Sequence, residues 1–481
     1  MPGAARRPGG FAPRWTSSGA AAPGALRLDG AGPARPALAP PPAGFRAPAW
    51  LLPLQLVLAA IGVVLYSGAK FQLSGGAPEA EQLGAADPLN TLMQLVLLGG
   101  GGLAVLLHAR RALGLALRLW PFLLIVAMIA ASTLWSQSPG HTLRRSVSVV
   151  VLLLFVLSTL AGPGILRFMR ITLGVTLVLV LLSLAEAALR PAIGYDTGDY
   201  ANAIRGVFPQ KNVFGMALLC GVLALSYLVL ERGRLRWGDG AILLVLLVML
   251  VLARSTTSLL LALLCAGATV AFLWLDRGGA WAAAILLGLV TGGSAALLLF
   301  AALGTEGLFE LIGKDASLTG RTFIWEEVWN LINQRPLLGT GYAAFWIADS
   351  PGVLAIQERV QWAVPSAHSG YLEVLLQLGW VGAALVALLA AVTLLWALLA
   401  LARGPRRHAM WTLMLAGVLL ILNQSESALL NPDLPMIFWL MLLVVLQQAP
   451  PRAAEPPAWR RLGYVAGGGG LSAAASPAAR R

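Results

Sequence analysis

The stretch Ala363–Gly382, AVPSAHSGYLEVLLQLGWVG, changes character part of the way along. It begins with small and polar residues, His368 and Ser369 side by side, and then becomes an apolar run that continues to Ala402. About twenty predominantly apolar residues cross the hydrocarbon core of a bilayer as a helix. The stretch therefore reads as the mouth of a membrane span, with a histidine set at the mouth.

Comparable runs recur along the chain, near 50–68, 90–108, 115–135, 146–165, 170–189, 212–231, 239–253, 256–275, 280–303, 372–402, 409–425 and 433–449. Of 481 residues, 58% are hydrophobic and 11% charged, and the mean hydropathy is +0.78. A soluble domain carries about 25% charged residues, too many for this chain to match. The sequence predicts an all-α polytopic integral membrane protein of about twelve transmembrane helices.

The flanks differ. Residues 1–48 are rich in Pro, Gly, Ala and Arg without apolar period, and read as a disordered basic arm lacking the compact pattern of a cleaved signal peptide. Residues 450–481 read as a similar tail. Between them lie spans one to nine (49–303), one long connection (304–371) and spans ten to twelve (372–449).

The net charge of +13 would suit nucleic acid in a soluble protein, but in a membrane protein its distribution matters more, and no nucleic-acid partner is expected. With the N-terminus in the cytoplasm, 23 of the 34 Lys/Arg fall on the cytoplasmic side and 11 on the other. That bias follows the positive-inside rule, with both termini inside. The long connection is then external, and such a loop beside otherwise short ones usually carries function. No nucleotide is available there to supply energy.

No zinc spacing, P-loop or dinucleotide fingerprint occurs, and no metal or cofactor is expected. Cys220 and Cys265 lie inside apolar runs and read as small packing residues. The glycines Gly99–Gly102 read as close helix packing within a span.

Within the long connection, Ile324, Val328, Leu331 and Ile332 share one helical face. Trp325 and Trp329 lie beside that face, and Glu326, Glu327 and Asn330 are polar. This predicts an amphipathic helix at the outer membrane boundary, ended by the turn in RPLLGTGY; simple packing of the loop is the plain alternative. Arg205, Arg254 and Arg321 all fall on the external side, where the charge rule disfavours them. Arg254 sits between two apolar runs, where an unpaired charge is costly. The planar fork of arginine suits phosphate oxygens. His368 is a candidate base, since an ordinary histidine takes up a proton near neutral pH; a helix cap made with Ser366, Ser369 and Gly370 is the plain alternative.

These segments resemble the O-antigen ligase and bacterial polysaccharide polymerase family. HSGYLEVLLQLGWVG carries its His, small polar residue, nine residues and Gly-x-x-Gly, here His368, Ser369, Gly379 and Gly382. LTGRTFIWEEVW, with Gly320 and Arg321, followed by PLLGTGYAAFW, is similar to the loop upstream of that histidine. RGVFPQKNVFG, with Arg205 and Asn212, is similar to its earlier Arg and Lys-Asn segment. The resemblance implies a metal-independent, inverting membrane glycosyltransferase of surface polysaccharide biosynthesis in the bacterial inner membrane, its active site facing the periplasm. The donor would be a glycan on undecaprenyl diphosphate, and the acceptor a glycan or lipid A core hydroxyl. Membrane lipids and a polysaccharide chain-length regulator are the further partners it implies. His368 would be the base, and Arg205 and Arg321 diphosphate binders; Arg254 joins them by position more than by motif. A twelve-span transporter or flippase is the competing expectation. Transporters place ionisable groups at mid-bilayer and show repeated halves; here Glu186 alone lies well inside a span, near its outer end, and no repeat is evident.

Overall fold

A computed structural model describes residues 48–71, 87–196, 202–277, 321–347, 350–360, 364–403 and 406–448. All belong to the unit Arg46–Arg481, one of two into which the contacts divide the chain. The described residues are overwhelmingly helical. In chain order the helices are α1 Leu51–Tyr66, α2 Pro88–Leu107, α3 Ala109–Arg118, α4 Trp120–Ala131, α5 Pro139–Ala161, α6 Ile165–Leu189 and α7 Lys211–Arg232. Then follow α8 Trp237–Leu252, α9 Thr256–Arg277, α10 Arg321–Gln334, α11 Pro351–Val360, α12 Gly370–Arg403, α13 Arg406–Ser425 and α14 Leu434–Gln448.

Among these, seven helices are long and apolar enough to cross a membrane, or eight if one bent pair counts as a span, and three more are shorter apolar helices. Eleven of the twelve expected spans coincide with helices; the run 280–303 lies outside the described residues, as do Gly320 and both flanks. The result is a polytopic all-α membrane protein.

Two expected spans are corrected in shape. The run 115–135 is not one straight span, because α3 and α4 meet at 86°. Pro121, in the first turn of α4, has no N–H to continue the ladder of α3. The run 372–402 is interrupted at Gly379, whose φ of 63° and ψ of −164° leave the helical region inside α12.

The bundle is built around α7, whose side chains from Phe214 to Leu230 are almost all buried. It packs against α6, α8, α9 and α13. Without a hydrophobic force between helices in lipid, close approach depends on small residues. Gly221 supplies one, since a Cβ there would meet Thr176 Cγ2 at 2.8 Å. Cys220 and Cys265 are free and buried, as packing residues should be. Of the four glycines Gly99–Gly102, Gly100 makes a close approach, where a Cβ would come within 2.9 Å of Leu58; Gly99 and Gly102 face open space. The run instead includes a π turn, Leu97–Gly101, within α2.

Hydrogen bonds gather alternate connections at opposite ends of the bundle. At one end, Lys70 N donates to Val207 O (2.8 Å), Ile204 N to Leu252 O (3.0 Å), Gln137 N to Thr340 O (3.0 Å) and Gly370 N to Glu426 O (3.1 Å). At the other end Arg232 pairs with Asp239 at 2.6 Å and His408 with Glu231 at 2.9 Å. The first end holds described residues of every connection predicted to be external; the second holds Arg-rich connections predicted to be cytoplasmic.

Candidate functional site

His368 lies in a short segment between the second half of the long connection and α12. The preceding residue, Ala367, is held on both sides of its backbone. Its N–H donates to Glu373 Oε1 at 2.6 Å, and its carbonyl accepts from Trp325 Nε1 at 2.8 Å. His368 itself takes φ of 49°, a left-handed conformation that a non-glycine residue adopts at a cost of roughly 1–2 kcal/mol. Its N–H reaches Ser366 Oγ at 3.3 Å, and its side chain is half-buried. Five non-glycine residues among those described have positive φ: Asn202, Arg254, Ala343, His368 and Leu430. All five lie at this end of the bundle. Residues over-determined into sparsely populated conformations cluster at functional sites.

Glu373 organises the surroundings. In the first turn of α12 and only 4% exposed, it also accepts from Trp346 Nε1 (3.0 Å) and Gln377 Nε2 (2.7 Å) through Oε2. Gln377 Oε1 then accepts from Ala343 N at 2.9 Å. The segment RPLLGTGY is more than a helix-ending turn. Thr340 N and Gly341 N donate to the carbonyls of Leu376 and Gln377, and Trp380 N and Val381 N donate to those of Pro336 and Leu337. The amides freed by the break at Gly379 are thus satisfied by a passing chain, as irregular backbone at membrane depth requires. A Cβ at Gly379 would collide with the Leu337 carbonyl, so glycine is needed for both conformation and space. Gly382 lies one turn on, where a Cβ would come within 2.3 Å of Leu378 Cβ.

The helix carrying Arg321 is α10. Its apolar face, Ile324, Val328 and Ile332, is buried against Phe345, Val353, Ile356, Val364 and Leu376 in a second, smaller core, with Leu331 partly buried beside it. The expected boundary helix therefore uses its apolar face inside the protein, leaving Phe323 and Trp329 exposed. Arg321 stands one turn before Trp325, which binds Ala367, so the backbone of Arg321 is tied to the His368 segment through four residues of helix. Arg359 of α11 pairs with Glu326, at 3.3 Å, and with Glu327.

Arg205 is half-buried. Its Nε donates to Ile193 O (2.8 Å) and its Nη1 to Pro209 O (2.9 Å). These bonds brace the loop with two of the five donors a guanidinium offers. Asn212 is in the first turn of α7 and half-buried. Arg254 is exposed, with φ of 49°, in the turn after α8. The pieces form one rim. Ile204 binds Leu252 next to the Arg254 turn, Thr257 meets Ser425 at 3.2 Å, and Glu426 binds Gly370, two residues from His368. Ser369 is buried, and its carbonyl accepts the first helical bond of α12, from Glu373 N.

Sequence reasoning did not find Glu373, Trp346, Gln377 or Asp433. A carboxylate opening an apolar run was the available signal for Glu373 and Asp433. Asp433 caps α14, its Oδ1 accepting from Met436 N at 3.1 Å. Tyr342, buried beside it, donates its hydroxyl to Leu430 O at 2.7 Å, and burial raises its pKa. Among the described residues no three His, Cys, Asp or Glu side chains group to hold a metal ion. The rim offers arginines, a histidine and backbone, a set suited to binding anionic oxygen and moving a proton.

A polytopic helical membrane protein with such a rim at one end of its bundle is the class defined so far. Residues 241–387 match the family described as O-antigen ligase, a range holding Arg254, Arg321, His368, Ser369, Gly379 and Gly382. The chain is 24% identical over 287 residues to the exopolysaccharide production protein ExoQ of Rhizobium meliloti (strain 1021), over 58% of this chain and 65% of that protein. The chain thus spans about 65% of the length of the curated relative it matches. Both findings support an O-antigen ligase/polymerase-like family for this chain.

Proposed function

We propose that the protein transfers a glycan from undecaprenyl diphosphate to a hydroxyl acceptor at the periplasmic face of the inner membrane, in surface polysaccharide biosynthesis. The His368 imidazole removes the proton from the acceptor hydroxyl, and the oxygen attacks the anomeric carbon of the lipid-linked sugar. The carbon–oxygen bond to the diphosphate breaks with inversion, and the bonding pair leaves on the diphosphate. Arg205, Arg321 and Arg254 stabilise the charge that develops there, an arrangement that acts most strongly where water is excluded. The donor bond is already activated, so no nucleotide is required, and the cations for the leaving group come from the protein without a metal.

The observation that carries this reading is the doubly held Ala367 backbone, which fixes His368 on the rim that also bears Arg205 and Arg254 and receives α10. The charge partition supports the periplasmic orientation. The family match supports a polymerase or ligase, and the relative named for exopolysaccharide production is taken here as support for the polymerase reading, in which the acceptor is a glycan. Purified protein in lipid nanodiscs, given an undecaprenyl diphosphate oligosaccharide and EDTA, should release undecaprenyl diphosphate and yield a glycan longer by one donor unit. Transfer dependent on added divalent metal, or no transfer with any oligosaccharide donor, would contradict the proposal.

A further inference from the structure

The helix α3, Ala109–Arg118, leaves the axis of α4 at 86°. Because α4 crosses the bundle alongside α5 and α12, α3 runs along the plane of the membrane instead of through it. It does so at the end of the bundle predicted to be cytoplasmic. From Trp120 to Leu134, α4 and the short 3-10 turn that ends it rise only about 22 Å at 1.5 Å per residue. That is less than the roughly 30 Å of a hydrocarbon core. A helix set at right angles to so short a span lies at the membrane boundary, not out in the water.

At about 100° per residue, α3 divides into three sectors. Ala112 and Leu115 are buried against the bundle, which α3 meets at α5 and α14. Gln447 Nε2 of α14 donates to Arg118 O at 3.1 Å and pins the end of the helix there. Leu113 and Leu117, more than 60% exposed, form a second sector, continued by Trp120. Arg110 borders that sector and Arg111 lies beyond it, both exposed. Nothing nearby in the chain neutralises these two charges. Residues 88–185 contain no Asp or Glu, and neither arginine joins an ion pair among the described residues. At this end Asp239 and Glu231 are already held by Arg232 and His408. A second segment here repeats the combination of basic and apolar side chains. Arg234 and Arg236 are exposed around Leu235, and Trp237 is 98% exposed, a residue at home at a membrane–water boundary.

The occupant of the α3 face must bring negative charge and hydrocarbon side by side. Free phosphate brings only the first. An anionic phospholipid brings both, phosphate oxygens for the arginine forks and acyl chains for the leucines. We infer that α3 is an in-plane helix seated on anionic phospholipids, with Arg110 and Arg111 on the phosphates and Leu113 and Leu117 on the acyl chains. The inference is independent of the transferase reading. Its test uses the full chain in nanodiscs of phosphatidylglycerol and phosphatidylcholine. Cys220 and Cys265 are buried, so a nitroxide is directed to an added surface cysteine. By power saturation with oxygen and a nickel chelate, a label at Leu117→Cys should lie about 5–10 Å below the headgroup boundary, and one at Arg111→Cys should contact water. Both labels in water, or both at the bilayer centre as in a re-entrant helix, would overturn the in-plane seat. Native mass spectrometry then reads the headgroup. The wild type should retain phosphatidylglycerol in preference to phosphatidylcholine, and Arg110→Gln/Arg111→Gln should lower that preference about fivefold per arginine removed. The melting temperature of the variant in phosphatidylcholine should stay that of the wild type. No preference in the wild type, or an equal preference in the variant, would overturn the anionic lipid as occupant.

Discussion

At the scale of single residues, Glu373 shows how one buried carboxylate holds the segment that bears the proposed base. Its two oxygens accept from Ala367 N, Trp346 Nε1 and Gln377 Nε2, all donors, so glutamine in its place would turn an N–H₂ toward at least one of them. Glu373→Gln should therefore cost nearly as much as Glu373→Ala. We expect turnover to fall about ten- to a hundredfold, the scale of losing one or two charge-assisted hydrogen bonds, with the donor KM unchanged. A positioning role also predicts that the shape of the pH–rate profile is retained, since the proposed proton acceptor, His368, is unchanged; an altered profile would make Glu373 part of the chemistry. The arginines carry a different signature. Arg205→Ala and Arg321→Ala should each lower transfer by roughly a hundred- to a thousandfold, as for loss of one donor to a developing oxyanion. Lysine should rescue poorly, because it lacks the bidentate fork. Full activity of the double alanine variant in a transfer assay would remove both from the site. The residue types at Arg205, Arg254, Arg321 and His368 were legible from spacing and side. The hydrogen bonds that brace the His368 segment were less so, because Trp346 and Glu373 lie 27 residues apart in sequence and Trp325 and Ala367 lie 42 apart.

At the scale of elements, the apolar runs were legible because twenty-residue hydrophobic segments are a strong signal, and the described helices follow them closely. Breaks were harder. The bend before Pro121 had a visible proline, yet the interruption at Gly379 depends on a neighbour, the 336–338 backbone, that no local pattern shows. Gly379→Ala must adopt φ of 63° against the Leu337 carbonyl, and should lower stability by about 1–3 kcal/mol through backbone strain alone. A thermal melt in detergent would record it, and a melting temperature equal to wild type would show that α12 can run unbroken.

At the scale of the whole molecule, the basic-residue partition and the hydrogen-bonded ends agree on one point: connections predicted to share a side meet at the same end of the bundle. The sequence could order these connections but could not show that the Arg205, Arg254 and His368 segments join into one rim, since that requires packing α7, α9 and α13 together. Reporter fusions after Gly313 and in the tail beyond residue 450 should report opposite sides of the membrane; the same side for both would invert or dissolve the topology. The central claim is that this rim transfers a glycan with His368 as the base. It is tested most directly by turnover of purified wild type, His368→Ala and His368→Gln with a synthetic undecaprenyl diphosphate oligosaccharide and a glycan acceptor. Glutamine can replace a cap hydrogen bond but cannot take up a proton at neutral pH. Both variants should fall by about a hundred- to ten-thousandfold, roughly 3–5 kcal/mol of barrier, while donor affinity and melting temperature hold. Near wild-type turnover in His368→Gln would contradict the claim and leave His368 as a structural residue at the mouth of α12.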